Sequence, residues 1–491
     1  MLNVHLRIAD AATKKPVPCR LRVTDSAGIY FAPLGRLAVF ACGVGEDVGG
    51  SIRLGRDNFA HIDGSCEIAL PAGVPLRIQA FRGPEWTPID HTVTLGGGQM
   101  AIRLEMSRWF DRHAEGLTST DSRCHFLSPH AALAEAAAED VDEVHILARV
   151  HYALSAIDGN TYPQLPGITA FSGQAPALAA DGRAVFVNTL NTHRTLGHLG
   201  LLNCHRPVYP LAFGGSEGAD DWSLCDWADQ CHRKGGRVVW CDPFREGLPG
   251  GEALVALILG KVDAIEFDAR PRSTPFLPWV YRLWSAGLLV PLVGASGKDS
   301  NRGVVGAVRG YAPLSPGGEG LGVRGTVAPI PLTPNPSPPG EKGASFVTNG
   351  PLLRFRVDGS RITASAESIT PFDKLEVVAN GEVIASVPPT ADERFTASVE
   401  VEHSVPSWVA ARAIGGAGSV LFPDQPAFAH TSPVLIGSPT PDPAAVAALR
   451  KCLDRVREWV ETQAEFTQEK KKAQHLERLA AAAARLTGAG P

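Results

Sequence analysis

The middle of the chain alternates short apolar segments with helical ones, and this alternation is the feature that most restricts its fold. Strand-like segments lie at 141–147, 184–190, 237–241, 262–267 and 290–295, and helical segments lie at 129–140, 222–233, 252–259 and 278–286. This order predicts an α/β fold with parallel strands joined by crossover helices. Such strands close into a barrel or stack into a doubly wound sheet, and functional residues then collect at their C-terminal ends.

The sequence on either side of this α/β body has a different character. Short segments of alternating polarity predict a β-module on each side, and the first is expected to be a β-sandwich. A tract dense in proline and glycine is expected to be disordered. An alanine-rich, charged segment is expected to form a docked helix with a break near Gln468. The predicted units are a β-sandwich-like domain at 1–106, the α/β body at 107–312, the disordered insert at 313–343, the second β-module at 344–440 and the helical segment at 441–491.

Charge and hydropathy exclude two classes of partner. The 491 residues carry a formal net charge of −5, which provides no broad positive field for a nucleic-acid backbone. The apolar runs are far shorter than the roughly 20 residues of a membrane-spanning helix. The first residues lack the pattern of an export signal, so we expect a cytoplasmic protein. The nine cysteines form no C-x-x-C pair and are expected to be reduced thiols.

Residues capable of chemistry follow several predicted strands. In DSRCH at 121–125, alternate spacing puts Asp121, Arg123 and His125 on one face of an extended strand, although a turn before a helix would explain them equally well. The dipeptide GH at 197–198 adds a second imidazole, that of His198. Asp242 directly follows an apolar strand, where a carboxylate serves a metal or a turn cap equally well.

The tract SGKDSN at 296–301 follows the last predicted strand. It combines small residues with Lys298 and Asp299. It differs from a phosphate-binding loop because an acid, and not serine or threonine, follows the lysine. The pattern favours an acid-bearing active-site loop over a capped turn.

Seven short tracts extend this pattern over most of the chain. They are RGPE at 82–85, GLTSTDSRCH at 116–125, GH at 197–198, GGRVVWCDP at 235–243, GKVDAIE at 260–266, SGKD at 296–299 and FVTNGP at 346–351. In order and spacing the chain resembles the PHP-type (polymerase and histidinol phosphatase) metallohydrolases, in the branch that includes carbaryl-type hydrolases. The resemblance implies a distorted (β/α)7 barrel with a metal cluster at the C-terminal strand ends and an N-terminal β-sandwich.

The chain departs from the metal site that this resemblance implies. The family site opens with D-x-H-x-H, and Arg123 stands here in place of the first histidine. A guanidinium group is permanently charged and cannot ligate a metal. The glutamate that precedes the family's Gly-His is missing, and its His-Pro is replaced by Asp242-Pro243. With these departures, the resemblance implies a site for at most one divalent ion. The ion would be zinc, manganese or iron, and its ligands would be His125, His198, Asp242 and Asp299.

Two functions follow from these residues. In the first, a bound metal activates water to hydrolyse an ester, amide or phosphoester, Arg123 stabilises the oxyanion, and Lys298 assists electrostatically or as a proton donor. In the second, the chain is a non-catalytic relative that binds a small molecule or glycan. Arg123 and Lys298 then form internal salt bridges with Asp121, Asp242 or Asp299, which fill the former site.

Overall fold

The computed structural model describes residues 1–45, 49–154, 159–244, 248–267, 276–313, 344–418 and 425–488. Within these ranges the chain has a mixed α/β fold that is mostly strand, with six α-helices. None of these helices is long and apolar enough to cross a bilayer. The predicted disordered insert lies outside the described residues except for Pro313, which ends a strand.

The N-terminal region forms two sheets around one apolar core. Its strands are β1 (Leu2–Asp10), β2 (Cys19–Asp25), β3 (Tyr30–Phe31), β4 (Ser51–Leu54), β5 (Asp57–Ile62), β6 (Ser65–Leu70), β7 (Pro75–Phe81), β8 (Ile89–Thr94) and β9 (Ala101–Met106). One sheet has the order β6-β1-β9, and the other has the order β4-β5-β2-β7-β8 with β3 beside β2. Val4, Leu6 and Ile8 alternate along β1 and are buried with side chains from β2 and β7, so both sheets contribute to the same core.

The body contains the predicted strand–helix alternation. Its elements are β10 (Leu117–Cys124), α1 (Pro129–Glu139), β11 (Glu143–Ala148), β12 (His151–Leu154), β13 (Thr161–Gln164), β14 (Leu178–Ala180), β15 (Arg183–His193), β16 (Gly197–Leu202), α2 (Leu224–Arg233), β17 (Arg237–Cys241), α3 (Gly251–Ile258), β18 (Ala264–Phe267), α4 (Phe276–Ser285) and β19 (Leu292–Gly294). Parallel pairing joins β10 to β11 to β15, and β17 to β18 to β19. Between these groups β16 runs antiparallel to both neighbours, because only residues 194–196 separate it from β15 and a parallel crossover needs a far longer connection.

Helix α1 shows how local sequence sets these boundaries. The Ser128 hydroxyl accepts a hydrogen bond from Ala131 N (3.2 Å) and caps the helix. Proline fits the first helical position because the N–H there has no partner within the helix. Asp140 ends the helix in the left-handed conformation, with φ of 56°. This turn places Asp140 and Asp142 at the start of β11.

The body sheet curves where the candidate residues lie. Beyond β19, Gly297 N donates to Arg123 O (3.0 Å), and His125 N donates to Lys298 O (2.7 Å). Six adjacent strands, β11 and β15–β19, contribute to one small apolar cluster on the concave face. Its members are Leu147, Leu190, Leu202, Val239, Cys241, Ala264 and Val293. The strand pairing found among the described residues does not close into a barrel, so the (β/α)7 barrel stays a prediction.

The body sheet continues into the C-terminal β-module. The strands are β20 (Arg309–Pro313), β21 (Phe346–Thr348), β22 (Leu352–Asp358), β23 (Arg361–Ser368), β24 (Lys374–Ala379), β25 (Glu382–Val387), β26 (Thr390–Ala391), β27 (Phe395–Glu402), β28 (Ser407–Gly418), β29 (Pro426–Thr431) and β30 (Val434–Ile436). From β10 the sheet runs through β20, β21, β29, β28 and β24 to β25. A second sheet has the order β22-β23-β27-β26. One sheet therefore crosses the boundary predicted at residue 344.

Two C-terminal helices, α5 (Pro443–Thr462) and α6 (Glu469–Leu486), dock on the body. The Asp442 carboxylate caps α5 by accepting from the main-chain N–H groups at 444 and 445. Leu449, Leu453 and Val456 are buried in the core that contains α2, α3 and α4. Arg478 of α6 also forms an ion pair with Asp226 of α2 (2.6 Å). The chain turns between the two helices close to Gln468, as the sequence predicts.

A buried set of charged residues joins the N-terminal region to the body. We call it the junction cluster: Arg82, Glu85, Arg112, Asp140 and Asp142. Arg112 donates twice to Asp142 (2.7 and 2.6 Å), and also to Glu85 (2.8 Å) and Asp140 (3.0 Å). Although burial opposes ionisation, the Arg112 and His113 hydrogen bonds hold the pKa of Asp142 well below its usual range. The tract RGPE thus contributes both of its charged residues to this buried contact.

Candidate functional site

Three strand ends bring opposite charges together on the concave face. Arg123 lies near the end of β10, Asp242 directly follows β17, and Glu266 lies in β18. Arg123 binds Glu266 through two parallel hydrogen bonds, Nε to Oε2 at 2.7 Å and Nη2 to Oε1 at 2.5 Å. Its Nη2 also donates to Asp242 Oδ1 at 3.2 Å, and Nη1 lies 3.5 Å from Oδ2. We call Arg123, Asp242 and Glu266 the inner cluster.

The inner cluster is a charge-assisted arrangement that excludes most solvent. All three residues are buried. Burial by itself lowers the pKa of a guanidinium, but Glu266 and Asp242 raise the pKa of Arg123 well above its ordinary value. Two carboxylates facing one guanidinium leave an excess of one negative charge. The cluster therefore fixes a cation between two acids at the strand ends.

His198 connects the inner cluster to a cavity. Its Nδ1 atom lies 3.3 Å from Asp242 Oδ2, and its side chain is 18% exposed. The cavity has a volume of about 40 Å³, enough for a few water molecules. Its walls include Arg194, His198, Trp240, Asp242, Phe244 and the main chain at Gly250 and Gly251. One carboxylate of the inner cluster and one imidazole are thus within reach of a small polar ligand.

The backbone beside this cavity is strained. Asp242 and Phe244 adopt positive φ angles of 46° and 57°, a region that residues with a Cβ atom avoid. Phe126, directly after His125, has φ of 65°. Backbone strain of this kind persists only where surrounding contacts enforce it, and it concentrates at functional sites. The sharp turn at Asp242 is what directs its carboxylate back towards Arg123.

His125 is buried beside the cluster in its neutral form. Its Nδ1 donates to Leu147 O (2.7 Å), which leaves Nε2 as the unprotonated nitrogen. No hydrogen-bond partner for this Nε2 is found among the residues described. Burial lowers the pKa of His125 well below its usual value, and Arg123 and Arg149 lower it further. His125 therefore presents a buried lone pair.

Asp121 supports the main chain and does not join the inner cluster. Its carboxylate accepts from Ser296 N (2.9 Å), Gly306 N (2.8 Å) and Arg123 N (3.2 Å). The carboxylate thereby ties β10 to the segment that follows β19. The pairing of β10 with β11 shifts register between Asp121 and Cys124, and Arg123, not Asp121, reaches the other strand ends.

Lys298 and Asp299 follow β19, and their contacts lie outside the inner cluster. Lys298 Nζ donates to Ser300 O (3.1 Å) and Gly303 O (3.0 Å) and lies 3.5 Å from Glu135 Oε2 on α1. Asp299 is half-buried, and its main-chain oxygen accepts from Gly45 N (2.9 Å). Of the predicted internal salt bridges, the structure contains Arg123–Asp242, whereas Lys298 pairs with Glu135.

Glu266 is the main residue that the predicted site omits. It is the third residue of the short buried strand Ala264–Phe267. A charged residue at the end of an apolar strand is the same signal that singles out Asp242, so the signal was present in GKVDAIE. Its significance depends on Arg123, which lies 143 positions earlier in the chain.

The donor set does not fit a divalent ion. Both oxygen atoms of Glu266 and both of Asp242 face the Arg123 guanidinium, and a metal held by Asp242 would lie within a few ångströms of that cation. In the described parts of the chain, no three histidine, cysteine, aspartate or glutamate side chains converge as metal ligands do. The chain matches no protein-family model, no curated protein and no solved structure. The resemblance to PHP-type hydrolases thus rests on the sequence tracts alone.

Proposed function

We propose that this protein is a non-catalytic relative of the PHP-type metallohydrolases that binds a small polar ligand at its strand ends. The observation that carries this proposal is the two-pronged Arg123–Glu266 contact with Asp242 beside it. A guanidinium group matches carboxylates through fixed, parallel hydrogen bonds, so it offsets one of the two negative charges and occupies the carboxylate oxygens without a metal. Arg123 then acts as an internal counter-cation and not as an oxyanion stabiliser.

The curvature of the sheet supports a barrel-like body. Main-chain hydrogen bonds from residues 297 and 298 to β10 bring the last strand of the body next to the first. The apolar cluster on the concave face contains side chains from β11 and from β15 to β19, but none from β10. In the proposed (β/α)7 arrangement, the inner cluster and the cavity lie together at the C-terminal mouth.

The cavity wall indicates the chemistry of the ligand. Asp242 and His198 offer an acceptor and an imidazole, and Arg194 adds an exposed cation. Trp240 and Phe244 supply apolar surface beside them. Molecules that carry hydroxyls beside apolar surface suit such a wall. A cavity of about 40 Å³ admits only part of a sugar, so we propose that the terminal hydroxyls of a glycan, or a small hydroxylated molecule, bind here.

The metal content of the Arg123→His variant tests whether Arg123 occupies a former metal site. Restoring the imidazole releases Asp242 and Glu266 from the guanidinium and adds a third nitrogen ligand to His125 and His198. After exposure to zinc, manganese and iron, elemental analysis should find no metal in the wild type and about one ion per chain in the variant. Arg112→His, which also places an imidazole among buried carboxylates, is the matched control and should stay metal-free.

Hydrolysis by a metal centre is the second candidate, and the unpaired Nε2 of His125 favours it. It requires the wild type to bind close to one ion per chain and to lose it in both His125→Ala and Asp299→Ala. That result would reject the proposal that the protein is non-catalytic and binds no metal. Turnover of ester and phosphoester substrates should then depend on the metal and disappear with it.

Ligand binding is tested with a glycan array and His198→Ala. We expect the wild type to bind and the variant to lose that binding, because His198 lines the cavity. His205→Ala, which changes an exposed histidine outside the cavity wall, should bind as the wild type does. Equal binding by all three proteins would place the ligand elsewhere on the chain.

A further inference from the structure

Two cysteine sulfurs lie next to each other in the body, away from the inner cluster. Cys204 follows the end of β16, and Cys231 lies in the last turn of α2. Their Sγ atoms are 3.2 Å apart, and both side chains are buried and unbridged. A disulfide bond is about 2.05 Å long, so bonding requires the sulfurs to approach by little more than an ångström.

Hydrogen bonds between two loops hold the sulfurs together. His205 donates to Lys234 O from its main-chain N (3.1 Å) and from its Nδ1 (2.9 Å). Lys234 Nζ donates in turn to Pro207 O (2.7 Å). The loop that carries Cys204 is thereby fixed to the turn that follows Cys231.

Gly236 provides the space that the two sulfurs share. A Cβ atom at this position would lie 2.5 Å from Cys204 Sγ and 2.7 Å from Cys231 Sγ, closer than non-bonded atoms approach. Neither sulfur could remain in place beside a larger residue. Glycine at position 236 therefore allows the two sulfurs to remain in contact.

The surroundings assign different roles to the two thiols. The hydrogen bond from the neighbouring sulfur, aided by Lys234, lowers the pKa of Cys204. The same contact, together with burial, raises the pKa of Cys231. Because the thiolate is the nucleophilic form, Cys204 is the sulfur that reacts first.

We propose that Cys204 and Cys231 form a redox-active pair that hydroperoxides oxidise to a disulfide. The Cys204 thiolate attacks one peroxide oxygen, the O–O bond breaks, and the departing hydroxide takes a proton to become water. Cys231 then attacks the sulfenic sulfur of Cys204, the S–O bond breaks, and the second hydroxide takes the Cys231 proton. Two thiols and one hydrogen peroxide thus give one disulfide and two waters.

The proposal does not depend on the ligand or metal at the strand ends, and the full chain tests it directly. The protein is treated with hydrogen peroxide, denatured and alkylated, and the remaining thiols are counted by intact mass. We expect the count to fall from nine to seven, to return to nine with dithiothreitol, and to yield a cross-linked peptide that contains both Cys204 and Cys231. The oxidised protein should also melt a few degrees higher, since a cross-link restricts the unfolded chain.

Variants separate this pair from the other cysteines. Cys204→Ser should keep all eight of its thiols under the same treatment, and Cys231→Ser should lose only the Cys204 thiol, to a sulfenic acid without a cross-link, whereas Cys452→Ser should fall from eight to six. The proposal is overturned if the wild type keeps nine thiols, if the cross-link joins other cysteines such as Cys19 and Cys66, or if Cys204 reaches the sulfonic acid without a cross-link. Each of these outcomes is read from the wild type, so it stands even where a variant fails to fold.

Discussion

The junction cluster and the inner cluster use the same chemistry in different surroundings. In each, one buried arginine cross-links carboxylates from distant parts of the chain: Arg112 binds three and Arg123 binds two. The junction cluster is enclosed between the N-terminal region and the body. The inner cluster borders a cavity, and Asp242 in its wall has a strained backbone.

This difference separates a structural contact from a candidate site. A buried ion pair is weak evidence for function by itself, since purely structural ion-pair networks have the same burial and perturbed pKa values. What distinguishes the inner cluster is access for a ligand, backbone strain and the adjacent His198. The comparison predicts that the two arginines differ in their effect on stability, and the following changes measure that difference.

The largest effect is expected for Arg112→Ala. This change leaves Asp140, Asp142 and Glu85 with fewer partners in an enclosed, low-dielectric region, which should lower the free energy of unfolding by about 4 kcal/mol. Urea denaturation at neutral pH measures the loss. Arg361→Ala, which removes an exposed pair with Glu400, is the control and should not change the midpoint. A result like that of the control would show that the junction cluster does not hold the N-terminal region in place.

A smaller effect is expected for Arg123→Ala, about 2 kcal/mol by the same measurement. Water in the cavity can reach Asp242 once the guanidinium is removed, so part of the desolvation is relieved. The unpaired carboxylates should have raised pKa values and bind protons more readily in the folded state. The loss should therefore shrink as the pH falls from 7 towards 5. A loss as large as that of Arg112→Ala would remove the contrast between the two clusters.

The last effect concerns His145 of β11, which is fully buried and stacked on Phe186. Burial lowers the pKa of His145 to about 3. Between pH 7 and 5 the unfolded chain takes up a proton at this histidine and the folded protein does not, so stability falls as pH falls. We expect this group to contribute about 2 kcal/mol to that loss.

Comparing wild type and His145→Gln measures this contribution. Urea titrations at pH 7 and pH 5 should show a weaker pH dependence in the variant, because glutamine does not titrate. An unchanged pH dependence in His145→Gln would mean that folding does not lower the pKa of His145.

Elements with a strong local pattern are predictable from the sequence. The predicted strand at 237–241 coincides with β17, whose apolar residues 238–241 are followed directly by Asp242. Helix α1 follows from its cap, its proline and its alanines. By contrast, β16 contains two glycines and has little intrinsic preference for a strand. It is a strand because β15 and β17 pair with it on both sides, so tertiary contacts override local preference.

The candidate site is predictable only in part, for the same reason. Chain order places Arg123 near the end of β10 and Asp242 directly after β17. The direction that a charged side chain takes from there depends on which opposite charge lies nearest. Lys298 turns to Glu135 of α1, and Arg123 turns to Glu266.

By itself the sequence determined the segments that become strands and helices, the presence of Arg123 where the resemblance to PHP-type hydrolases predicts a histidine, and the residues that stand at strand ends. The tertiary structure alone decided that Arg123 binds Glu266 and Asp242, that Lys298 points away from them, and that Cys204 contacts Cys231. The physical reason is range. Strand and helix patterns depend on neighbours a few residues apart, whereas ion pairs and sulfur contacts depend on distance and burial, which only the folded chain defines.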